Sequence, residues 1–210
     1  MSMKRAMSAY AFGFGDPCLP TPVGVAPSGP EWVHEIKHDG YRLMVRRIAA
    51  SVRIRTRRGY DWTKRFPRIV EAARKLRASS FVLDGEGVVL GKDGKSDFAR
   101  LHSRSHDDAV QLLGFDLLEL DGADLRREPL ERRKAALAKL LRRSHDGMQL
   151  VEHIEAVDGA TVFAHACKLG LEGIVSKRRD ARYQHGRSRA WLKVKNPASP
   201  AMTRVWEERF

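Results

Sequence analysis

Residues 31–46 read EWVHEIKHDGYRLMVR, and their centre, Lys37-His38-Asp39-Gly40-Tyr41-Arg42, is a K-x-D-G-x-R pattern. Trp, Val and Ile ahead of an Asp-Gly break predict a strand over 31–37. With a period of two, Val33, Glu35 and Lys37 share one face, and Trp32, His34 and Ile36 share the other. A lysine therefore ends a strand beside a glutamate, at a turn where glycine lets a ligand approach the backbone. Arg42 and Arg46 open the next strand on a common face. Two readings stand at this point. One is a solvated lysine before an ordinary Asp-Gly hairpin turn. The other is a nucleophilic lysine in a phosphate pocket. An amine attacks only when neutral, and an ordinary lysine is protonated near pH 7. Neighbouring cations, with Arg42 and a bound metal as candidates, or desolvation would release the lone pair.

The 210 residues suffice for one large domain or two small ones with a real core. Lysine and arginine number 39 against 26 acidic residues, a net charge of +13. That excess favours a polyanionic partner, most simply nucleic acid, over a plain solubility feature once the motifs below are added. No apolar run is long enough to cross a membrane as a helix. The weakly apolar start is broken by Gly13 and Gly15, so no signal peptide is expected. Cys18 and Cys167 form neither a disulfide framework nor a metal-ligand spacing, which fits a reducing, intracellular compartment.

Along the chain, residues 1–30 are rich in Pro and Gly and predict an extended arm with little regular structure. Residues 43–48 and 52–56 predict paired strands, the second with Val52, Ile54 and Thr56 opposite Arg53, Arg55 and Arg57. A helix is expected over 67–78, with Pro67 in its first turn. FVLDGEGVVL, 81–90, is either a hairpin at Asp84-Gly85 or one strand whose glycines admit a ligand, with Asp84 and Glu86 on one face. Ser96 suits the cap of a short helix to Ser103. Residues 110–120 are apolar on both faces and predict a central strand. A helix over 129–141 packs Leu130, Ala136, Leu137, Leu140 and Leu141 and leaves Arg132, Arg133 and Lys134 in solvent. Residues 149–154 predict a strand, and Asp158 caps a helix ending at Gly170. Residues 172–177 and 191–195 predict strands, joined by a mobile, cationic loop over 178–189.

In order, the chain presents K-x-D-G-x-R, T-R-R-G, L-D-G-E-G, F-D-L-L, E-G-I-V-S-K and W-L-K-V-K, each at a strand end or turn. Each is weak alone; the ordered set is specific. It resembles the adenylation domain of ATP-dependent DNA ligases, within the covalent nucleotidyltransferase superfamily, and most of all the bacterial end-joining type, ligase D. The likeness covers roughly Pro17 to Pro197. It implies an α+β covalent nucleotidyltransferase (ATP-grasp-like) fold. Two antiparallel or mixed sheets would carry flanking helices and hold the nucleotide pocket between them. The adenylation domain would occupy 31–197, between the arm and a short tail, 198–210.

The resemblance further implies that Lys37 attacks the α-phosphorus of ATP, expels pyrophosphate and forms lysyl-AMP, which passes to the 5′-phosphate of nicked DNA before sealing. Glu35 would accept from the adenine amino group, and Phe115 would stack on the base, although the pattern serves core packing as well. Arg42 and Arg57 would hold ribose or phosphate oxygens. Glu86 would bind ribose or position a metal, Glu172 would serve the metal, and Lys177, Lys193 and Lys195 would grip phosphates. ATP and Mg²⁺ or Mn²⁺ are the implied cofactors, and nicked double-stranded DNA the implied partner. The enzyme would be a monomer off the membrane, in the bacterial cytoplasm and nucleoid-associated. Glu172 and Lys177 fall on opposite faces of a regular strand. That strand must therefore start after Glu172, contain a bulge, or carry Lys177 past its end. Ligases of this family continue into an OB-fold domain, whereas the residues after Pro197 are too few for one. An OB-fold domain or end-joining proteins in trans are therefore expected helpers. An RNA ligase, a GTP-using capping-type guanylyltransferase and a non-catalytic DNA-binding module are the alternatives. Intact Lys37, Glu86, Glu172, Lys193 and Lys195 weigh against the last.

Overall fold

The computed structural model describes residues 13, 15–144 and 146–202. The first twelve residues of the expected arm and residues 203–210 of the tail lie outside the described residues. In chain order the elements are β1 (Cys18–Pro22), β2 (Trp32–Ile36), β3 (Tyr41–Ile48), β4 (Ser51–Thr56), α1 (Pro67–Lys75), β5 (Ser80–Val88), α2 (Phe98–His102), β6 (Gln111–Leu120), β7 (Ala123–Asp124), α3 (Leu130–Leu141), β8 (Met148–Leu150), β9 (His153–Ile154), α4 (Gly159–Lys168), β10 (Gly173–Arg178) and β11 (Gly186–Lys195). They form the two sheets of an α+β fold. One has the order β1-β11-β10-β2-β9, and the other β4-β3-β5-β6-β7 with β8 beside β6.

Side-chain alternation explains how the sheets stack. In β3, Leu43 and Val45 point to a large apolar layer shared with α1 and α3, while Met44 points to a second layer between the sheets. Arg42 and Arg46 share the face of Met44, so the two arginines aim toward the other sheet. The inter-sheet layer draws Cys18, Val33 and Trp191 from one sheet and Val82, Leu113 and Phe115 from the other. A third, smaller layer packs α4 on the outer side of the first sheet through Val162, Ala166 and Ile174. β6 is buried along its length between β5 and its partners, as an apolar strand must be. Asp158 caps α4, accepting from the Thr161 N–H at 3.2 Å. Among the described residues no helix is long and apolar enough to cross a membrane.

Several local expectations are corrected. The arm contains a strand: β1 pairs in parallel with β11. Of the two readings held for residues 81–90, the continuous strand is the one found: β5 runs through Asp84-Gly85 without a turn, and its register against β6 shifts at that point. The cap of α2 is Asp97, which accepts from the Arg100 N–H at 3.0 Å, and not Ser96. Residues 149–154 are not one strand. β8 pairs with β6 and β9 with β2, so the chain changes sheets within a few residues. The 178–189 segment is mostly tied down, because β11 begins at Gly186 and Tyr183 is buried. Arg133 and Lys134 are not solvated; they are 0% and 4% exposed. Arg133 meets Asp116 of β6 through two hydrogen bonds of 2.8 and 2.9 Å, and Lys134 meets Glu35 of β2 at 2.6 Å. A helical wheel places both on a polar stripe, but that stripe faces buried carboxylates.

Candidate active site

β2 ends at Ile36, so Lys37 stands just past the strand, with its backbone N–H donated to the Gly173 carbonyl at 3.0 Å. Gly40 then packs so closely on β5 that a Cβ would collide with the Gly87 carbonyl. That close approach sets Lys37 and Glu86 on the walls of one cleft of about 290 Å³, lined by residues of both sheets. Seven cationic side chains line it, namely Lys37, Arg42, Arg57, Arg58, Arg187, Lys193 and Lys195, against three carboxylates, Asp39, Glu86 and Glu172. Burial, reinforced by Lys37 and Lys195, holds Lys193 below the usual lysine range. Cations crowded in this way form a site for a polyanion such as a nucleotide triphosphate.

Glu172 sits at the centre. Its two oxygens lie 2.6 Å from Lys37 Nζ and 3.6 Å from Lys195 Nζ. β10 starts at Gly173, one residue after Glu172, which resolves the face conflict between Glu172 and Lys177. The glycine adopts φ +142°, and a Cβ there would collide with the Val194 carbonyl. Glu86 faces the same cleft from β5. Burial first, and then Glu172 and Asp84, push its carboxyl up to about 7 against the opposing pull of Lys37 and Arg42.

Of the residues expected at the site, the cleft brings together Lys37, Arg42, Arg57, Glu86, Glu172, Lys193 and Lys195. Glu35, Phe115 and Lys177 form a buried cluster beside it. Lys177 is 2% exposed, and its ammonium lies 2.6 Å from Glu35 and 4.3 and 4.0 Å from the ring centroids of Phe115 and Trp191. A buried carboxylate and two ring faces hold it in this position. Burial disfavours ionisation of Glu35, but Lys134 and Lys177 outweigh it and hold the carboxyl below the usual range. Phe115 carries Lys177 and also Arg42, whose guanidinium carbon lies 4.4 Å from the ring centroid. Arg42 itself is anchored to Asp84 by bonds of 2.5 and 2.7 Å. Sequence reasoning assigned no role to four other cleft residues, although Tyr41 lies inside the central motif. Tyr41 and Trp62 meet edge to face at 5.1 Å, Phe98 joins them, and His102 bonds the Tyr41 hydroxyl at 2.9 Å. Only folding unites these distant segments.

A sequence profile of the ATP-dependent DNA ligase domain matches residues 24–195. The chain belongs to this family. The domain is 40% identical over 173 residues to the multifunctional non-homologous end joining protein LigD of Pseudomonas aeruginosa, covering 80% of this chain and 20% of that one. The LigD end-joining repair protein of Mycobacterium tuberculosis is 41% identical over 168 residues, covering 79% and 22%. A solved mycobacterial DNA ligase D complexed with ATP and MES superposes with a TM-score of 0.77 at 36% identity, covering 88% of this chain and 62% of that one. The chain thus spans about a fifth of the length of the end-joining relatives.

Among the described residues no three or more His, Cys, Asp or Glu side chains converge as a metal cage. A hard divalent cation does not require one, since Mg²⁺ is commonly held by one or two carboxylates together with substrate phosphates and water. Glu86 and Glu172 on the cleft walls fit that donor set.

The raised Glu86 carboxyl has a consequence for stability. Between about pH 4.5 and 7 the folded domain keeps a proton that the unfolded chain has released, so stability falls as pH rises through that window. Glu86→Gln is expected to flatten this slope and to melt higher than the wild type at pH 7.5 in the absence of divalent metal. The gain is at most on the order of 3 kcal/mol. Equal slopes in melting scans at pH 5 and 7.5 would remove the argument. Phe115→Leu separates base stacking from packing. A loss of about 1–3 kcal/mol in ATP binding is expected for a stacking ring, whereas unchanged affinity with a lower melting temperature marks it as core.

Proposed function

We propose that this domain is the adenylating half of a DNA ligase that uses ATP. The Lys37 ammonium first gives up a proton, with Glu172 as the acceptor at 2.6 Å; the neutral Nζ then attacks the α-phosphorus, and the N–P bond forms as the bond to pyrophosphate breaks. Arg57, Lys193 and Lys195 carry the charge of the phosphates and of the departing pyrophosphate. Glu86 and Glu172 would hold Mg²⁺ or Mn²⁺, which when bound offsets phosphate charge. Glu35 and Phe115 would read adenine, which requires Arg42 and Lys177 to leave the Phe115 ring. AMP then passes to the 5′-phosphate of nicked duplex DNA, in the setting of bacterial end-joining repair in the cytoplasm, with an OB-fold domain or end-joining proteins as partners. The observation that carries this reading is the pairing of Lys37 with Glu172 inside a cleft of seven cations.

The test is intact mass after incubation with ATP and divalent metal. A gain of one AMP, lost in acid, is expected from ATP and not from GTP, and an unmodified mass would overturn the reading. DNA binding should be independent of sequence, because phosphate contacts position without specifying. Titrations at rising salt should show log K falling by about 0.9 per log unit of salt for each phosphate neutralised; a flat response would exclude binding through phosphate contacts.

A further inference from the structure

We propose that Tyr183 is a positioning residue that sets the spacing of the two cleft walls. Its ring is buried in the layer between the sheets. Its hydroxyl donates to Asp84 Oδ2 at 2.6 Å and accepts from the Cys18 N–H at 2.9 Å. Asp84 belongs to β5, two residues from Glu86. Cys18 opens β1, whose Leu19 and Pro20 line the opposite wall. One oxygen atom therefore ties a strand of each sheet to the other. Arg42 closes the ring: bound to both oxygens of Asp84, it also donates to the Cys18 carbonyl at 3.1 Å. Asp84 is 0% exposed and Cys18 1% exposed, so no water replaces a missing partner without opening the layer. Tyr183 does not line the cleft; it acts through Arg42 and β1. No feature of the sequence singles it out, since it lies in a run of arginines.

The consequence for ATP use rests on the reading of the cleft as the nucleotide site, and the experiment separates the two. Tyr183→Phe keeps the ring and removes only the tie. The control is Ser80→Ala, which deletes a buried hydrogen bond of similar kind, Ser80 Oγ to Glu119 at 2.6 Å, roughly 20 Å along β5 from Glu86. The first readout needs no ATP: the rate at which a thiol reagent labels buried Cys18, referred to the less buried Cys167 and assigned by peptide mass. Tyr183→Phe is expected to raise that ratio about tenfold, the size expected for one net hydrogen bond, with Ser80→Ala at the wild-type value. The second readout is AMP transfer to Lys37, where the KM for ATP should rise about tenfold with a smaller change in kcat. If Tyr183→Phe does not fold, Asp84→Asn, which loosens the same ring, is expected to show both shifts. Wild-type labelling of Cys18 in Tyr183→Phe, or equal shifts in Ser80→Ala, would overturn the proposal. A wild-type chain that takes up no AMP would instead sink the functional reading, while Cys18 labelling would still decide the tie.

Discussion

Lys37→Arg is expected to abolish covalent AMP, by a factor of a thousand or more on the scale of a lost nucleophile, while the fold survives. Arginine preserves the positive charge and a partner for Glu172, now 2.6 Å from Lys37, so the cleft's charge balance changes little. It stays protonated at any working pH and has no lone pair for phosphorus. Lys37→Ala fails at the same step but leaves Glu172 with Lys195 alone, at 3.6 Å. The comparison therefore separates chemistry from electrostatics. Both variants should lack the AMP adduct by intact mass, and only the alanine variant should show altered metal or pyrophosphate affinity. A labelled Lys37→Arg protein would move the nucleophile elsewhere, with Lys193 the first suspect on the same cleft wall.

Arg133→Ala is expected to cost the most stability among the variants proposed for this domain. The guanidinium is 0% exposed and holds Asp116 with two bonds while donating to the Glu128 and Ala181 carbonyls at 2.7 and 2.9 Å. It fastens α3 to β6 and to the segment that carries Tyr183. Its removal leaves a buried carboxylate without its ion-pair partner, which costs about 3–5 kcal/mol, a large share of the stability of an ordinary domain. The melting temperature should fall by roughly 10 °C or more for a chain of this size. Pairing the change with Asp116→Leu should recover much of it, because replacing both buried charges is far less costly than orphaning one. A single-variant loss below about 1 kcal/mol would show that the pair contributes little.

The strands and helices of this domain were legible because their signals are local. β4 alternates Val52 and Ile54 with Arg53 and Arg55 as a period of two requires. Pro67 opens α1, and Asp158 caps α4. The failures were also local in form. Ser96 and Asp97 are both competent caps, and the backbone chose the second. Residues 149–154 form a single β-prone run, but the two sheets compete for it and each takes half.

The sequence by itself determined which residues could carry chemistry: an ordered series of lysines, arginines and carboxylates at strand ends and turns, with Lys37 beside Asp39-Gly40 as the candidate nucleophile its motif singled out. Most of those residues meet in the cleft, because a strand end projects its side chain where the ladder stops. Only the tertiary structure decided which charges face ligand and which face each other. Lys134 and Arg133 read as solvated cations, yet each is paired with a buried carboxylate, Glu35 or Asp116, and Lys177 shares Glu35 with Lys134. A charged side chain takes its partner from whatever element packs against it, and that neighbour comes from distant sequence. The aromatic wall of Tyr41, Trp62, Phe98 and His102 and the Tyr183 tie between the sheets arise for the same reason: β-sheet pairing joins segments whose separation along the chain carries no record of their contact.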